Sequence, residues 1–354
     1  MKKIVSLLMV LVMVLAFAAC GSQGGDTAPA EGSAAEEAAA PAGSGETVKI
    51  ICPYGAGGVA DLAARKYAEV ANKVQTDYNF IVENMTGGDG FAANTFFSEE
   101  DPMTKDLLIF GYGVCYRWDG AQKYNTEEVD FDVEKNVPFC TIDDRYYILC
   151  AKPGVTLADV LEKAKTEGIK MSGGNPLSDP HLALATLIAA EGGKVQVIPY
   201  DGGAEQKKAL TDGEVDVFVG GSPVLLADIE GGVLNPILAF SDKPFEGFVD
   251  ADGNAITVPC IVGEGKAPEL NADNDYSDSI LPAGGGLATH DGCDPAFRDA
   301  MIEIAKLVWA DEDFSGWIDS VLLNNFQVYG DEAVAHYKEA REKGLAAYDL
   351  LLGE

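Results

Sequence analysis

The residues best placed to do chemistry are Pro53-Tyr-Gly-Ala-Gly-Gly-Val-Ala-Asp61, directly behind the apolar run Val48-Lys-Ile-Ile-Cys52 and ahead of Leu62-Ala-Ala-Arg-Lys-Tyr-Ala-Glu69. The apolar run predicts a strand, the glycines a turn, and Leu62, Ala63, Tyr67, Val70 and Ala71 recur at helical spacing. The first N–H groups of a helix lack carbonyl partners, and together with the helix dipole they form a site for an anion. Ala56, Gly57 and Gly58 are therefore candidates to present N–H groups to a carboxylate. The same glycines equally suit close packing of a helix on a strand. Asp61 falls in the first helical turn, where it either caps the turn or accepts a hydrogen bond from a ligand amine or hydroxyl.

The elements that must position this turn recur along the chain. Asn79 to Asn84 reads as a strand followed by the glycine-rich Met85 to Asn94, and Leu107 to Gly113 supplies another strand. Val114 to Asn136 shows little periodicity and is expected to be irregular surface. Arg145 to Lys152 reads as a strand, and Thr156 with Asp159 three residues on predicts a capped helix. Ile169 to Leu182 then repeats the opening plan, with Ser178 or Asp179 as the helix cap and Pro180 near its first position. Glycine pairs close strands on both sides of the Thr156 helix, at Gly57-Gly58 and Gly87-Gly88 before it and at Gly173-Gly174, Gly202-Gly203 and Gly220-Gly221 after it. Strand and helix alternate, so the expected fold is α/β with a mostly parallel sheet in each of two lobes. Glycine turns facing one another across two lobes describe a cleft.

On the second jaw the candidates are Ser172, Gly173 and Ser178, with Gly202, Gly203 and Ala204 beside them. Tyr54 and Tyr200 either wall the pocket or pack at sheet edges. His181 has no second histidine or cysteine at ligand spacing, so it is read as orienting its turn rather than binding metal. No nucleophile elbow, metal cluster or Walker loop is visible, which leaves an exported α/β enzyme acting on a small carboxylate as the lesser alternative.

The chain opens Met1-Lys-Lys-Ile, runs apolar to Ala19 and reaches Cys20 through Phe17-Ala-Ala, the pattern of a secretory signal ending at a lipoprotein cleavage site. Residues 1–19 are thus expected to be a signal peptide and Cys20 a lipidated anchor on the outer face of a bacterial cell membrane. Residues 20–46 carry no large apolar side chain and are expected to be a flexible tether. A formal charge of -32 argues against nucleic acid and anionic lipid as partners. A pocket lined by N–H groups stays locally positive regardless. The cysteines beyond Cys20 form no Cys-x-x-Cys or Cys/His cluster, so no metal or cofactor is implied.

These blocks resemble a known family, the receptors of the tripartite tricarboxylate transporters, or Bug family of extracytoplasmic solute-binding proteins. Pro53 to Arg65 is similar to that family's opening glycine signature. Val82-Glu-Asn84 with Gly87 to Gly90 is similar to its second block. Thr156-Leu-Ala-Asp159, Ser172-Gly-Gly-Asn175 and Ser178-Asp-Pro-His-Leu182 resemble its second-lobe binding segment, and Pro199 to Ala204 with Gly213-Glu-Val-Asp-Val217 resembles the stretch after it. The resemblance covers residues 47 to 354. It implies a two-lobed periplasmic-binding-protein-like fold with two crossing strands, residues 47–146 plus 252–354 forming one lobe and 147–251 the other. It implies a small organic acid held at the hinge by the glycine turns, and membrane permease subunits as partners; a ligand-loaded subunit that signals to a membrane sensor is a third reading with the same binding chemistry. Two departures bear on the ligand. Val59 and Ala60 stand where many members carry glycine and a hydroxyl residue, and Asn175-Pro-Leu177 replaces a smaller glycine turn and joins the candidate contacts.

Overall fold

The computed structural model describes residues 45–200 and 202–353, so the expected signal peptide, Cys20 and nearly all of the tether lie outside the described residues. In chain order the strands are β1 (Glu46–Cys52), β2 (Tyr78–Asn84), β3 (Leu107–Gly111), β4 (Asn136–Arg145), β5 (Ile148–Ala151), β6 (Ile169–Gly173), β7 (Val195–Pro199), β8 (Val217–Gly220), β9 (Asn235–Ala239), β10 (Phe245–Val249), β11 (Ala255–Val258) and β12 (Ala283–His290). They form two five-stranded sheets, β2-β1-β3-β12-β4 and β7-β6-β8-β5-β9, and a β10-β11 hairpin.

The two sheets share one plan. In the first, β1 runs parallel to β2 and β3 while β12 is antiparallel to β3 and β4. In the second, β6 runs parallel to β7 and β8 while β5 is antiparallel to β8 and β9. This geometry collects the ends of β1, β3 and β4 and the start of β12 at one edge, where Gly285 faces Gly111 and Ala283 faces Arg145. The matching edge of the second sheet has Ile148 opposite both Gly220 and Ala239. The chain steps from β4 to β5 within residues 145–148, which brings the two edges together. The return runs from β9 through the hairpin to β12, and Phe248 and Val258, on either side of residue 252, pack in one cluster with Ile148 and Ala239 of the second sheet.

Helices follow the strands as the alternation predicts. α1 (Val59–Val74) follows β1, and α2 (Phe91–Glu99) follows the turn after β2. The first part of the stretch expected to be irregular surface is instead a helix, α3 (Tyr112–Tyr124), whose Tyr112, Val114, Cys115, Tyr116 and Arg117 are buried, while residues 125–132 are irregular as expected. Its start at Gly111 has no side-chain cap, and its buried face includes an arginine, so neither a cap nor an apolar stripe marks it. α4 (Leu157–Thr166) shows the expected box: the Thr156 hydroxyl accepts from Asp159 N–H at 3.2 Å and the Asp159 carboxylate accepts from Thr156 N–H at 2.8 Å.

Lobe 2 continues with α5 (Asp179–Ala190), α6 (Gly203–Asp212) and α7 (Leu226–Glu230). Phe297, Met301, Ile304 and Val308 of α8 (Pro295–Ala310) are buried with Val48, Ile50 and Ile109 of the first sheet, while Leu307 faces outward. After α9 (Glu312–Ser320), α10 (Asp331–Leu352) braces both lobes: Tyr337 Oη donates to Phe110 O at 2.6 Å and Tyr348 Oη donates to Leu177 O at 2.8 Å. The six cysteines among the described residues are unpaired.

Candidate ligand-binding site

Between the two facing edges lies a cavity of about 190 Å³. At roughly 30 Å³ per water this is room for about six waters, the size of a small metabolite. The first lobe contributes Tyr54, Gly58 to Ala60, Asp89, Gly111, Asp143 and Gly284; the second contributes Tyr147, Gly174, Ser178 to Pro180, Gly203 and Gln206. Arg145, in the crossing between the sheets, reaches the same wall. Helices α1, α5 and α6 all begin there, through Val59, Asp179 and Gly203, so three positive helix ends converge on one small space. A larger depression of about 830 Å³, around Glu100, Asp130, Lys135 and His290, is lined from the first lobe alone and opens on the surface.

Of the residues expected from sequence, Tyr54, Gly58, Ser178 and Gly203 lie on the cavity wall. Ala56, Gly57, Asp61, Ser172, Gly173, Asn175, Tyr200 and Gly202 do not, and local bonding explains most of them. Gly57, at φ +77°, donates its N–H to Asp61 Oδ2 at 2.9 Å instead of presenting it to the cavity. Asp61 is 1 % exposed and also accepts from Arg65 Nε at 3.0 Å and Asn84 Nδ2 at 2.8 Å, so its carboxylate ties the turn to α1 and β2. Ser172 Oγ donates to Gln206 O at 2.9 Å. The Gly173 carbonyl accepts from Tyr200 N–H at 2.9 Å, and Asn175 Oδ1 accepts from Leu177 N–H at 2.8 Å to shape its own turn. Tyr200 Oη donates to Glu214 at 2.7 Å, away from the cavity.

The ionic groups of the wall are ones the sequence reading did not assign to the ligand. Arg145 pairs with Asp143, yet its buried Nε and the Asp143 Oδ1 have no partner. Ser178 Oγ, in a residue 5 % exposed at the start of α5, is likewise unpartnered. Asp179 accepts a hydrogen bond from the Tyr147 hydroxyl. Burial pushes the Asp179 carboxyl up, against the hydroxyl and the Arg145 charge. Burial, and then the charge of Asp179, push Asp89 up to about 6. Burial also holds the Tyr54 and Tyr147 hydroxyls well above their ordinary range, keeping both protonated as donors.

The sequence did carry signals for these groups. Arg145 is a lone base between Asp143-Asp144 and Tyr146-Tyr147 at a strand end, and Asp89 is an acid set among glycines in a left-handed conformation at φ +52°.

The two lobes interlock through their acids. A Cβ on Gly174 would lie 2.9 Å from Asp89 Oδ1, and one on Gly113 would lie 2.8 Å from Asp179 Oδ1. Each acid thus reaches across to a glycine of the opposite lobe, and a Cβ there would make the carboxylate shift.

Known structures share this architecture. The periplasmic binding protein BugD matches with a TM-score of 0.68 at 17 % identity, over 86 % of this chain and 96 % of that one. The chain has the fold of the Bug-type periplasmic binding proteins. MatC from Rhodopseudomonas palustris, solved with bound malate, matches at 0.68 and 16 % identity over 86 % of this chain and 99 % of that one. A second R. palustris protein, solved with adipate, matches at 0.67 and 15 % identity over 86 % and 95 %. By sequence, the UPF0065 protein in gbd 5'region of Cupriavidus necator is 25 % identical over 198 residues, 55 % of this chain. The matched stretch spans 59 % of that relative's length. No family model matches the chain. The two-lobed α/β expectation and the resemblance to the tripartite tricarboxylate receptors are borne out by these neighbours.

Proposed function

We propose that this chain is an extracytoplasmic solute-binding receptor that captures a small organic acid in the cleft and delivers it to a tripartite-tricarboxylate-type membrane permease. One observation carries the reading: three helix amino termini and the Arg145 guanidinium meet at a cavity between two lobes that share one strand plan. A carboxylate there would exchange water for N–H donors and an arginine fork, and lobe closure would seal it. The malate and adipate held by two neighbours of the same fold support the ligand class. The reading includes no turnover of the ligand. It includes tethering through lipid on Cys20, with residues 21–46 as the leash between membrane and receptor.

The test is a thermal-shift panel of small carboxylates against the full chain, with mass spectrometry of the recovered ligand. A ligand that binds only the native state stabilises it by about 2.7 kcal/mol at one hundred times Kd. The expected result is a concentration-dependent rise in Tm and a ligand recovered unchanged. Chemical conversion of the ligand, or a flat Tm across the panel, would overturn the reading.

A further inference from the structure

We propose that the depression at the far end of the first lobe is a docking site for a partner protein, and that it receives the guanidinium or ammonium group of a basic side chain. It is separate from the cleft and from the ligand held there.

The strand plan sets the distance between the two places. β12 leaves the cleft edge at Ala283 and ends, after its eight residues, at His290, whose partner across the ladder is Asn136 at the start of β4. At about 3.3 Å per residue the depression lies roughly 20 Å from the cleft. Its wall comes from the end of α2, from residues 129–132 with Lys135, and from His290 and Asp291.

The donors and acceptors of this wall decide what fits it. Glu99, Glu100, Asp130, Asp132 and Asp291 stand against one lysine, Lys135, whose Nζ already donates to Ser98 O at 3.0 Å. His290 is 3 % exposed, and its Nδ1 lies 2.7 Å from Asp291 Oδ1. A carboxylate only accepts, so the proton of the neutral ring sits on Nδ1 and Nε2 carries a lone pair. The Gly292 N–H, 3.4 Å from Nδ1, is too distant to reverse that assignment. Among the described residues Nε2 has no partner, and neither has the buried Glu100 Oε2. Burial, and then the Asp106 charge, push the Glu100 carboxyl up, against the Thr104 hydroxyl and Lys49, with His290 close enough to act on it as well. Both unpartnered atoms are therefore acceptors set among acids.

Buried polar atoms ordinarily carry a hydrogen bond, so two acceptors in an acidic wall call for a cation that donates. Among the described residues no three His, Cys, Asp or Glu side chains are grouped to hold a metal ion. An ammonium or a guanidinium needs no such grouping, because its three or five N–H donors reach acceptors in different directions. The depression measures about 830 Å³ and opens on the surface, unlike the concave pockets that enclose small molecules. It suits a side chain carried on a protein surface, which the acidic rim would steer in. Met103, 60 % exposed and next to Pro102 of the rim, offers such a partner an apolar contact.

The test titrates the full chain, its histidines labelled with 15N, with three blocked tripeptides that carry arginine, lysine or citrulline between glycines. Calorimetry measures the affinity, and the imidazole 15N shifts locate it. The arginine and lysine peptides are expected to shift the His290 ring signals and to bind about fivefold more weakly in high salt. The citrulline peptide, similar in size and uncharged, is expected not to bind. Glu100→Gln removes the charge with little change of volume and is expected to lower affinity for the arginine peptide about fivefold. Because Glu100 also ends α2, His290→Gln is the second variant, with the same loss expected. Binding unchanged in both variants, citrulline binding as tightly as arginine, or no shift at His290 would each overturn the inference. Agmatine, a free guanidinium compound, binding more tightly than the peptides would overturn the protein partner in favour of a small organic cation. Carboxylate binding in the cleft, followed by thermal shift on the same samples, is expected to be unchanged in both variants, and its loss would overturn the separation of the two sites.

Discussion

The turn after β1 and the turn after β6 start from the same plan of strand, glycines, acid and helix, and they put the acid to opposite uses. In the first lobe Asp61 is the third residue of α1, from where its carboxylate reaches back to the Gly57 N–H and sideways to Arg65 and Asn84. In the second lobe Asp179 is the first residue of α5, and its carboxylate accepts from the Tyr147 hydroxyl and reaches across the cleft to Gly113. The difference is one of helical position. An acid at the third position closes a local ring of the capping type, whereas an acid at the first position stands clear of the helix end. The first turn is therefore a wall with its own charge already satisfied, and the second turns its acid to the cleft.

That contrast can be broken by removing charges one at a time. The largest effect is expected for Arg145→Gln, which withdraws the cation from the cleft. Losing one partner of a buried, hydrogen-bonded charge pair costs about 2–5 kcal/mol, so affinity should fall on the order of a thousandfold. Calorimetry checks it, and an affinity within threefold of the parent would mean the helix ends alone hold the carboxylate. Next is Asp61→Ala. It deletes the acceptor of the Gly57, Asn84 and Arg65 bonds, and hydrogen bonds to a charged group contribute about 1.5–3 kcal/mol each. Because Arg65 is one-third exposed and partly screened, the expected loss is about 3 kcal/mol of stability, read by urea unfolding. The equivalent Asp179→Ala change should cost less stability and more affinity; equal stability losses would erase the distinction between the two turns.

Smaller still is Gly174→Ala. The new methyl would sit 2.9 Å from Asp89 Oδ1 and hold the lobes slightly apart. Affinity is expected to drop about tenfold, roughly 1.4 kcal/mol, with a larger radius of gyration for the liganded form in solution scattering. Unchanged affinity would show that ligand binding does not require this degree of approach.

The fold was legible in the sequence to the extent that local signals were strong. Glycine pairs at strand ends and the Thr156 box marked where chains turn and helices start, and those positions hold. Helix α3 was not legible, because it starts from Gly111 without a cap and buries Arg117 against Phe91, with the guanidinium 4.0 Å from the ring centroid. The binding wall was half legible for a similar reason. Turn glycines announce backbone geometry, so Gly58 and Gly203 could be named, but which N–H faces the ligand depends on bonds to distant residues such as Asn84. Asp143 and Arg145 share the end of β4, whereas Asp89 comes from the turn after β2 and Asp179 from the start of α5. Only the crossing between the sheets brings them to one place, and no spacing along the chain records that meeting.

The smallest effect concerns pH and isolates Asp89. Asp179, Glu127 and Arg117 are the charged groups acting on it, the two acids raising its proton affinity and the arginine lowering it, with burial the largest cause of the rise. Its folded value of about 6 lies above the ordinary 3.8, so between those values the folded chain holds a proton that the unfolded chain releases. The stability contributed by that proton is full below about pH 4 and is lost as pH rises through 6. Asp89→Asn imitates the protonated form, so the unliganded variant should be more stable than the parent at pH 7. With a quarter of the side chain exposed, the difference is expected to be about 1 kcal/mol after screening, closing towards pH 4. Asp144, pushed up to about 6 by burial, titrates in the same window but is present in both proteins and cancels in the difference. A difference that stays flat from pH 4 to 7 would show Asp89 to be an ordinary solvated acid at the rim of the cleft.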